Sequence, residues 1–231
     1  MNEAVLFLPG MMCDARLFAP QIAALSATRP VMVAPLSGED DFAGLARQIL
    51  QNAPPRFALA GLSMGGIAAM EIIRQAPDRV TRLALMDTNP LAEAPDRAGI
   101  RDDQIDRVRA GDLGAVIRDE MKPHYLASAS DRKTILDLCM DMALSLGPDV
   151  FVTQSRALQA RPDQCATLRG IGIPALILCG AEDRLCPPER HEMMRDLVVG
   201  ANLVMINDAG HLPTLEQPQL TNEALEKWLN M

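Results

Sequence analysis

Basic side chains are in the minority in this 231-residue chain. Lys and Arg number 22 against 30 Asp and Glu, a formal net charge of −8. Such a chain is repelled by phosphate backbones and anionic lipid, which argues against nucleic-acid and membrane-surface partners. No apolar run approaches the ~20 residues that a membrane span needs. The first apolar run, residues 4–8, follows an acid and is too short for a signal-peptide core, so a cytoplasmic location is expected. Cysteine is sparse and unpatterned. Cys13, Cys139, Cys165, Cys179 and Cys186 are odd in number and contain no CxxC pair, which argues against a disulfide framework or a zinc site. No repeat or low-complexity segment breaks the chain. Hydrophobic residues reach 48%, enough for a full core in one domain spanning 1–231.

What is present is an alternation. Short apolar runs occupy residues 4–8, 30–35, 57–62, 80–86, 174–179 and 202–206, each bounded by Gly, Pro or Asp. Nearly continuous apolar runs suit parallel strands covered on both faces. Amphipathic stretches at about 17–25, 41–51, 65–76, 189–198 and 219–229 lie between them, with Asp41 as a candidate N-cap and Pro77 as a stop. The pattern predicts an α/β fold with an open, mostly parallel six-stranded sheet and helices on both faces. One segment departs from it. Between residues 88 and 168 there is no strand-like run, and helices are expected at 96–109, 113–126, 132–145 and 149–160. Gly111, Ser128-Ala129-Ser130 and Gly147-Pro148 punctuate them. This reads as a helical lid inserted after the fourth strand.

Gly61-Leu62-Ser63-Met64-Gly65-Gly66 matches G-x-S-x-G between a strand and a helix. A sharp strand-to-helix turn would present the Ser63 hydroxyl at the carboxyl end of the sheet. Gly61 and Gly65 would flank it because a Cβ there would collide across the turn. A serine hydroxyl needs a base to become a nucleophile, and the chain has only three histidines. His211, in Gly210-His211-Leu212, directly follows the last apolar run and so shares the edge on which Ser63 must stand. His124 falls in the insertion, and His191 falls on what reads as a surface helix. A carboxylate should orient His211. Asp183, in Gly180-Ala181-Glu182-Asp183 after the fifth run, is the leading candidate, with Glu182 pointing elsewhere. Asp87, after the fourth run, is the alternative.

These pieces, in the order Ser63, Asp183, His211 and with Glu216-Gln217-Pro218 downstream, resemble the α/β-hydrolase superfamily from about residue 4 to 229. In detail the chain is similar to the branch of small carboxylesterases, enol-lactonases and pimeloyl-ester esterases. The resemblance implies an oxyanion hole made by the backbone N–H groups of Met11 and Met64. Where the family often carries His-Gly, this chain reads Pro9-Gly10-Met11-Met12, which leaves Met12 open as an alternative donor. Members usually open with two antiparallel strands, whereas only Met1-Asn2-Glu3 precede the first run here, so six principal strands are expected. The implied activity is hydrolysis of an ester, thioester or lactone of a small apolar substrate, with no metal, nucleotide or organic cofactor. The same triad also serves lyases, perhydrolases and C–C bond hydrolases, and a non-catalytic ligand-binding role completes the alternatives.

Aromatic residues make up only 3%, whereas methionine occurs 14 times. Met11, Met12 and Met64 are expected to line a pliable pocket floor, and Met121, Met140 and Met142 fall in the insertion. Oligomeric state is not legible in the sequence.

Overall fold

Each of the six apolar runs is a strand in the computed structural model, which describes residues 3–128 and 132–231. The expected break at Ala129-Ser130 therefore lies outside the described residues. The strands are β1 (Val5–Leu8), β2 (Val31–Val33), β3 (Phe57–Leu62), β4 (Val80–Met86), β5 (Ala175–Gly180) and β6 (Asn202–Ile206). They form one sheet in the order β2-β1-β3-β4-β5-β6, and every neighbouring pair is parallel. All carboxyl ends therefore open on one edge.

The helices, in chain order, are α1 (Ala19–Leu25), α2 (Phe42–Asn52), α3 (Met64–Gln75), α4 (Pro95–Arg109), α5 (Leu113–Val116), α6 (Arg132–Gln159), α7 (Cys165–Arg169), α8 (Pro188–Leu197), α9 (Pro213–Glu216) and α10 (Pro218–Leu229). The strands lack an alternating polar face because both faces are covered. Leu6, Leu8 and Leu59 face a core completed by α2, α3, α7 and α8 through Leu45, Ile72, Leu168 and Met194. Val5, Phe7 and Ala60 face the opposite core with Leu25 of α1 and Trp228 of α10. Successive residues of a strand point to opposite faces, so each face needs its own apolar set. Asp41 caps α2 by accepting from the Gly44 N–H at 2.7 Å.

Between β4 and β5 the chain is helical and joins a third apolar cluster, in which Ile105, Val116, Ile117 and Phe151 surround Met12. The expected helices 132–145 and 149–160 are one long element, α6, broken at Gly147 (φ 82°, ψ 176°) immediately before Pro148. The expected helix 113–126 is not regular. It begins as α5, widens to π-type turns over Ile117–Met121, then tightens to a 3-10 turn over Lys122–His124. Pro123 explains the change, because it has no N–H to donate and its ring crowds the carbonyl one turn back. No helix among the described residues is long and apolar enough to cross a membrane.

Candidate active site

Ser63 sits between the last residue of β3 and the first of α3, with φ 55° and ψ −116°. That region is sparsely populated for a residue with a Cβ and costs about 1–3 kcal/mol, so the surroundings must hold it. A Cβ on Gly61 would overlap the Gly65 carbonyl, and one on Gly65 would overlap the Leu8 carbonyl. The elbow therefore closes only with glycine at both places. Three bonds clamp it. The Ser63 N–H donates to Met86 O at 2.9 Å, Gly66 N–H donates to Ser63 O at 2.9 Å, and the Thr88 hydroxyl donates to Ser63 O at 2.7 Å.

His211 follows β6 and Asp183 follows β5, so both reach the edge where Ser63 stands. The Ser63 hydroxyl lies 2.9 Å from His211 Nε2, and His211 Nδ1 lies 2.8 Å from Asp183 Oδ2. An ionised carboxylate cannot donate, so the Nδ1 proton lies toward Asp183 and the Nε2 lone pair faces Ser63. The other oxygen of Asp183, Oδ1, accepts the N–H groups of Leu185 (2.8 Å) and Cys186 (3.0 Å). Burial works against the Asp183 charge, but the attraction of His211 and these hydrogen bonds outweigh it, and the carboxyl sits below its usual range. Glu182 points away and accepts from Ser128.

Asp87 is buried beside this pair, and its Oδ1 accepts the Gly180 N–H at 2.8 Å. Burial first, then repulsion from Asp183, holds its carboxyl well above the usual range. That environment favours its protonated form, and His211 is bonded to Asp183 instead. Asp87 and Asp183 approach each other with Cys179, and Asp183 approaches Cys186 and His211, as metal ligands would. The Asp183 oxygens are already engaged by His211 and two backbone donors, which leaves them poorly placed to ligate an ion.

The His211 loop is held by a carboxylate that sequence reasoning included only as part of a downstream motif. Glu216 Oε1 accepts from Gly210 N (2.9 Å) and Leu212 N (3.0 Å), while Oε2 accepts from Ala127 N (2.8 Å) in the insertion. His211 N–H itself donates to Tyr125 O at 2.7 Å.

The loop after β1 separates the two oxyanion candidates. Met12 adopts a left-handed backbone (φ 56°), and its N–H donates to Gln154 Oε1 at 2.8 Å. Gln154, buried on α6, also donates through Nε2 to Leu36 O at 2.7 Å. The Met12 donor is therefore occupied, while Met11 and Met64 line the same cavity as Ser63 and His211. The expectation that Met12 lines the floor is corrected. Its side chain turns into the insertion's apolar cluster and is buried there. Nothing local in the sequence pairs Gln154 with Met12 across 142 positions.

His191 is a second correction. It is fully buried, not on a surface face. Its Nε2 accepts the Thr88 N–H at 3.1 Å, and its Nδ1 faces Pro187 O at 3.3 Å. Burial pushes its pKa down to about 4. Since Thr88 in turn holds the Ser63 carbonyl, His191 supports the elbow from behind. The spacing His191, Met194, Val198 marks one buried helical stripe, a signal that could have found it. His124 lines the cavity.

The cavity has a volume of about 810 Å³. Its floor carries Leu62, Met64 and Ile67, and its far wall comes from the insertion, including Met121, Tyr125 and Leu158.

This sheet, elbow and triad geometry are those of the α/β hydrolases. The model of that family, described as the alpha/beta hydrolase family, matches residues 5–224, and the chain belongs to it. Among relatives, a pimeloyl-[acyl-carrier protein] methyl ester esterase from Aromatoleum aromaticum is 27% identical over 191 residues, covering 74% of this chain and 73% of that protein. A putative non-heme bromoperoxidase from Mycobacterium tuberculosis is 28% identical over 202 residues, covering 78% of this chain and 70% of its own. Among solved structures, a thermophilic esterase from Thermogutta terrifontis superposes with a TM-score of 0.90 at 27% identity, covering 100% of this chain and 90% of that one. The enol-lactonase of Burkholderia xenovorans shares the fold at 0.88 and 21% identity, covering 100% of this chain and 92% of its own. The chain is thus an α/β hydrolase, and the relatives it resembles include proteins named as esterases.

Proposed function

We propose that this chain is a serine hydrolase that cleaves a carboxylic ester, thioester or lactone of a small, largely apolar substrate through an acyl-enzyme on Ser63. The observation that carries the reading is the continuous relay of Ser63, His211 and Asp183, with spacings of 2.9 and 2.8 Å, opening on an apolar-floored cavity. Ser63 Oγ attacks the carbonyl carbon while His211 Nε2 takes its proton. Asp183 holds the imidazolium. The N–H groups of Met11 and Met64 receive the negative charge that develops on the carbonyl oxygen. As the tetrahedral species collapses, the ester bond breaks and His211 gives its proton to the departing alkoxide. Water then loses a proton to His211 and attacks the acyl-enzyme. The carboxylic acid leaves, and Ser63 Oγ regains its proton.

Residues 88–168 act as a lid in this reading, because they supply the cavity's outer wall and tie down both the Met12 and His211 loops. The net charge of −8 favours a small-molecule substrate over nucleic acid. The five cysteines are free thiols, which suits a reducing compartment such as the cytoplasm.

A fluorophosphonate probe should label the protein and not Ser63→Ala, and p-nitrophenyl acetate should be turned over only by the former. Labelling of Ser63→Ala at the wild-type rate would move the nucleophile elsewhere.

A further inference from the structure

The chain is strongly acidic, yet five arginines and only three acids line the cavity. Two of those acids already have partners. Asp119 pairs with Arg118 at 2.7 Å and Glu120 with Arg107, both arginines lying outside the cavity lining, and Glu120 also accepts from Gln104 on the wall itself. The third, Glu93, has a side chain only 5% exposed and is shared. Arg101 Nε donates to its Oε2 at 2.8 Å, and Arg161 Nη2 donates to its Oε1 at 3.3 Å. One carboxylate therefore serves two guanidinium groups, whose side chains are themselves 19% and 11% exposed. Among the described residues the other three arginines of the wall, Arg97, Arg184 and Arg190, have no carboxylate within 4.0 Å.

Arginine does not shed its proton in proteins, so surplus charge on this wall must be met by water or by an anion. Water is a poor option for Arg161. Burial presses its pKa down, Arg101 and Arg97 press the same way, and Glu93, with a smaller contribution from Cys186, resists. Donors remain available. Arg161 uses Nε on Leu91 O (3.1 Å) and Nη2 on Glu93, while Arg101 uses Nε on Glu93, so Arg161 Nη1 and Arg101 Nη2 face no acceptor among the described residues. Arg101 Nη1 lies 3.8 Å from the sulfur of Met11, which places the pair next to the oxyanion loop. Two unspent guanidinium edges over an apolar floor match a planar or tetrahedral oxyanion.

We propose that Arg101 and Arg161 form an anion subsite of this cavity, so that the ester cleaved at Ser63 carries a carboxylate or phosphate-type group on its apolar body. The inference rests on the serine-hydrolase reading above and names the substrate class it acts on. Glu93 has a counterintuitive part in it. It holds both arginines in place and also weakens their pull on the ligand.

The test uses p-nitrophenyl hydrogen adipate and p-nitrophenyl 6-phosphonohexanoate, each against p-nitrophenyl hexanoate. It also uses 4-acetoxybenzoate against phenyl acetate, which puts the charge on the alcohol side. At least one anionic ester should exceed its neutral counterpart about tenfold or more in kcat/KM, an advantage of the size that charge-assisted hydrogen bonds confer. The better of the adipate and phosphonate arms identifies the anion. Arg101→Gln and Arg161→Gln should each reduce the anionic-to-neutral ratio, whereas Glu93→Gln should raise it, a gain that a purely structural ion pair would not produce. In parallel, the Tm of Ser63→Ala is measured with and without adipate and 6-phosphonohexanoate. A rise that is lost when Arg101→Gln is added supports the subsite whether or not the chain turns over esters. Equal or better turnover of all neutral esters with no Tm rise overturns the proposal, as does an anionic preference that both arginine variants retain. Failure of fluorophosphonate labelling alongside an adipate-dependent Tm rise would instead sink the catalytic reading and leave the subsite standing.

Discussion

Replacing Asp183 by Asn tests the relay at its most constrained bond. Asp183 Oδ1 accepts two backbone N–H groups, from Leu185 at 2.8 Å and Cys186 at 3.0 Å, while Oδ2 accepts from His211 Nδ1. An asparagine can satisfy those two backbone donors only with its carbonyl oxygen on the Oδ1 side. Its NH2 group must then face His211 Nδ1, which has to become the acceptor. The imidazole proton moves to Nε2 and points at the Ser63 hydroxyl, so the ring can no longer take that proton. The fold should be kept, because size, shape and the two backbone bonds are preserved. Loss of the correct tautomer and of the imidazolium's counter-charge is worth roughly 10⁴-fold in kcat where such a triad operates, or about 5 kcal/mol of transition-state stabilisation. Steady-state hydrolysis of a p-nitrophenyl ester measures this directly, with circular dichroism to verify folding. If a folded Asp183→Asn kept more than about a tenth of wild-type kcat, the tautomer argument would be wrong. Asp87 would then be the residue to suspect.

Two further substitutions follow from buried groups near the elbow. Asp87→Asn should change kcat less than about threefold, because it puts a neutral amide in place of a carboxyl whose surroundings favour the neutral form. It should also raise stability. The folded-state pKa of Asp87 lies above its unfolded value of about 3.9, so its favourable contribution is complete below that pH and is lost as pH rises toward the folded pKa. The Tm advantage of Asp87→Asn over wild type should therefore widen between pH 4 and pH 8, and a pH-independent difference would refute the assignment of a neutral Asp87. His191 titrates the other way. Its pKa falls from about 6.5 unfolded to about 4 folded, so it destabilises the fold as pH drops through that window, by about 3 kcal/mol at pH 4. Urea unfolding of His191→Gln at pH 7 and pH 4.5 should lack most of that loss, and an unchanged pH dependence would mean that other groups cause it.

The strands, their parallel arrangement and the meeting of Ser63, His211 and Asp183 at one sheet edge were legible in local patterns. Runs such as Phe57-Ala58-Leu59-Ala60-Gly61-Leu62 carry no polar face, which only a sheet covered on both sides can satisfy. Gly61 and Gly65 declared the elbow through the side chains they lack. Asp183 and His211 could be named because parallel strands deliver their carboxyl ends to one edge, so position after a strand already implied proximity. Contacts without any such rule were hidden. Gln154 reaches the Met12 N–H from 142 residues away, His191 holds Thr88 from 103 away, and Arg161 meets Glu93 from 68 away. Each is a polar group that finds its partner only after burial has removed water as a competitor, and burial is a property of the packed whole. The candidate site of this chain was therefore written into short segments. Which backbone donor stays free, which acid is charged and where positive charge gathers in the cavity came from how the insertion between β4 and β5 packs over the sheet edge.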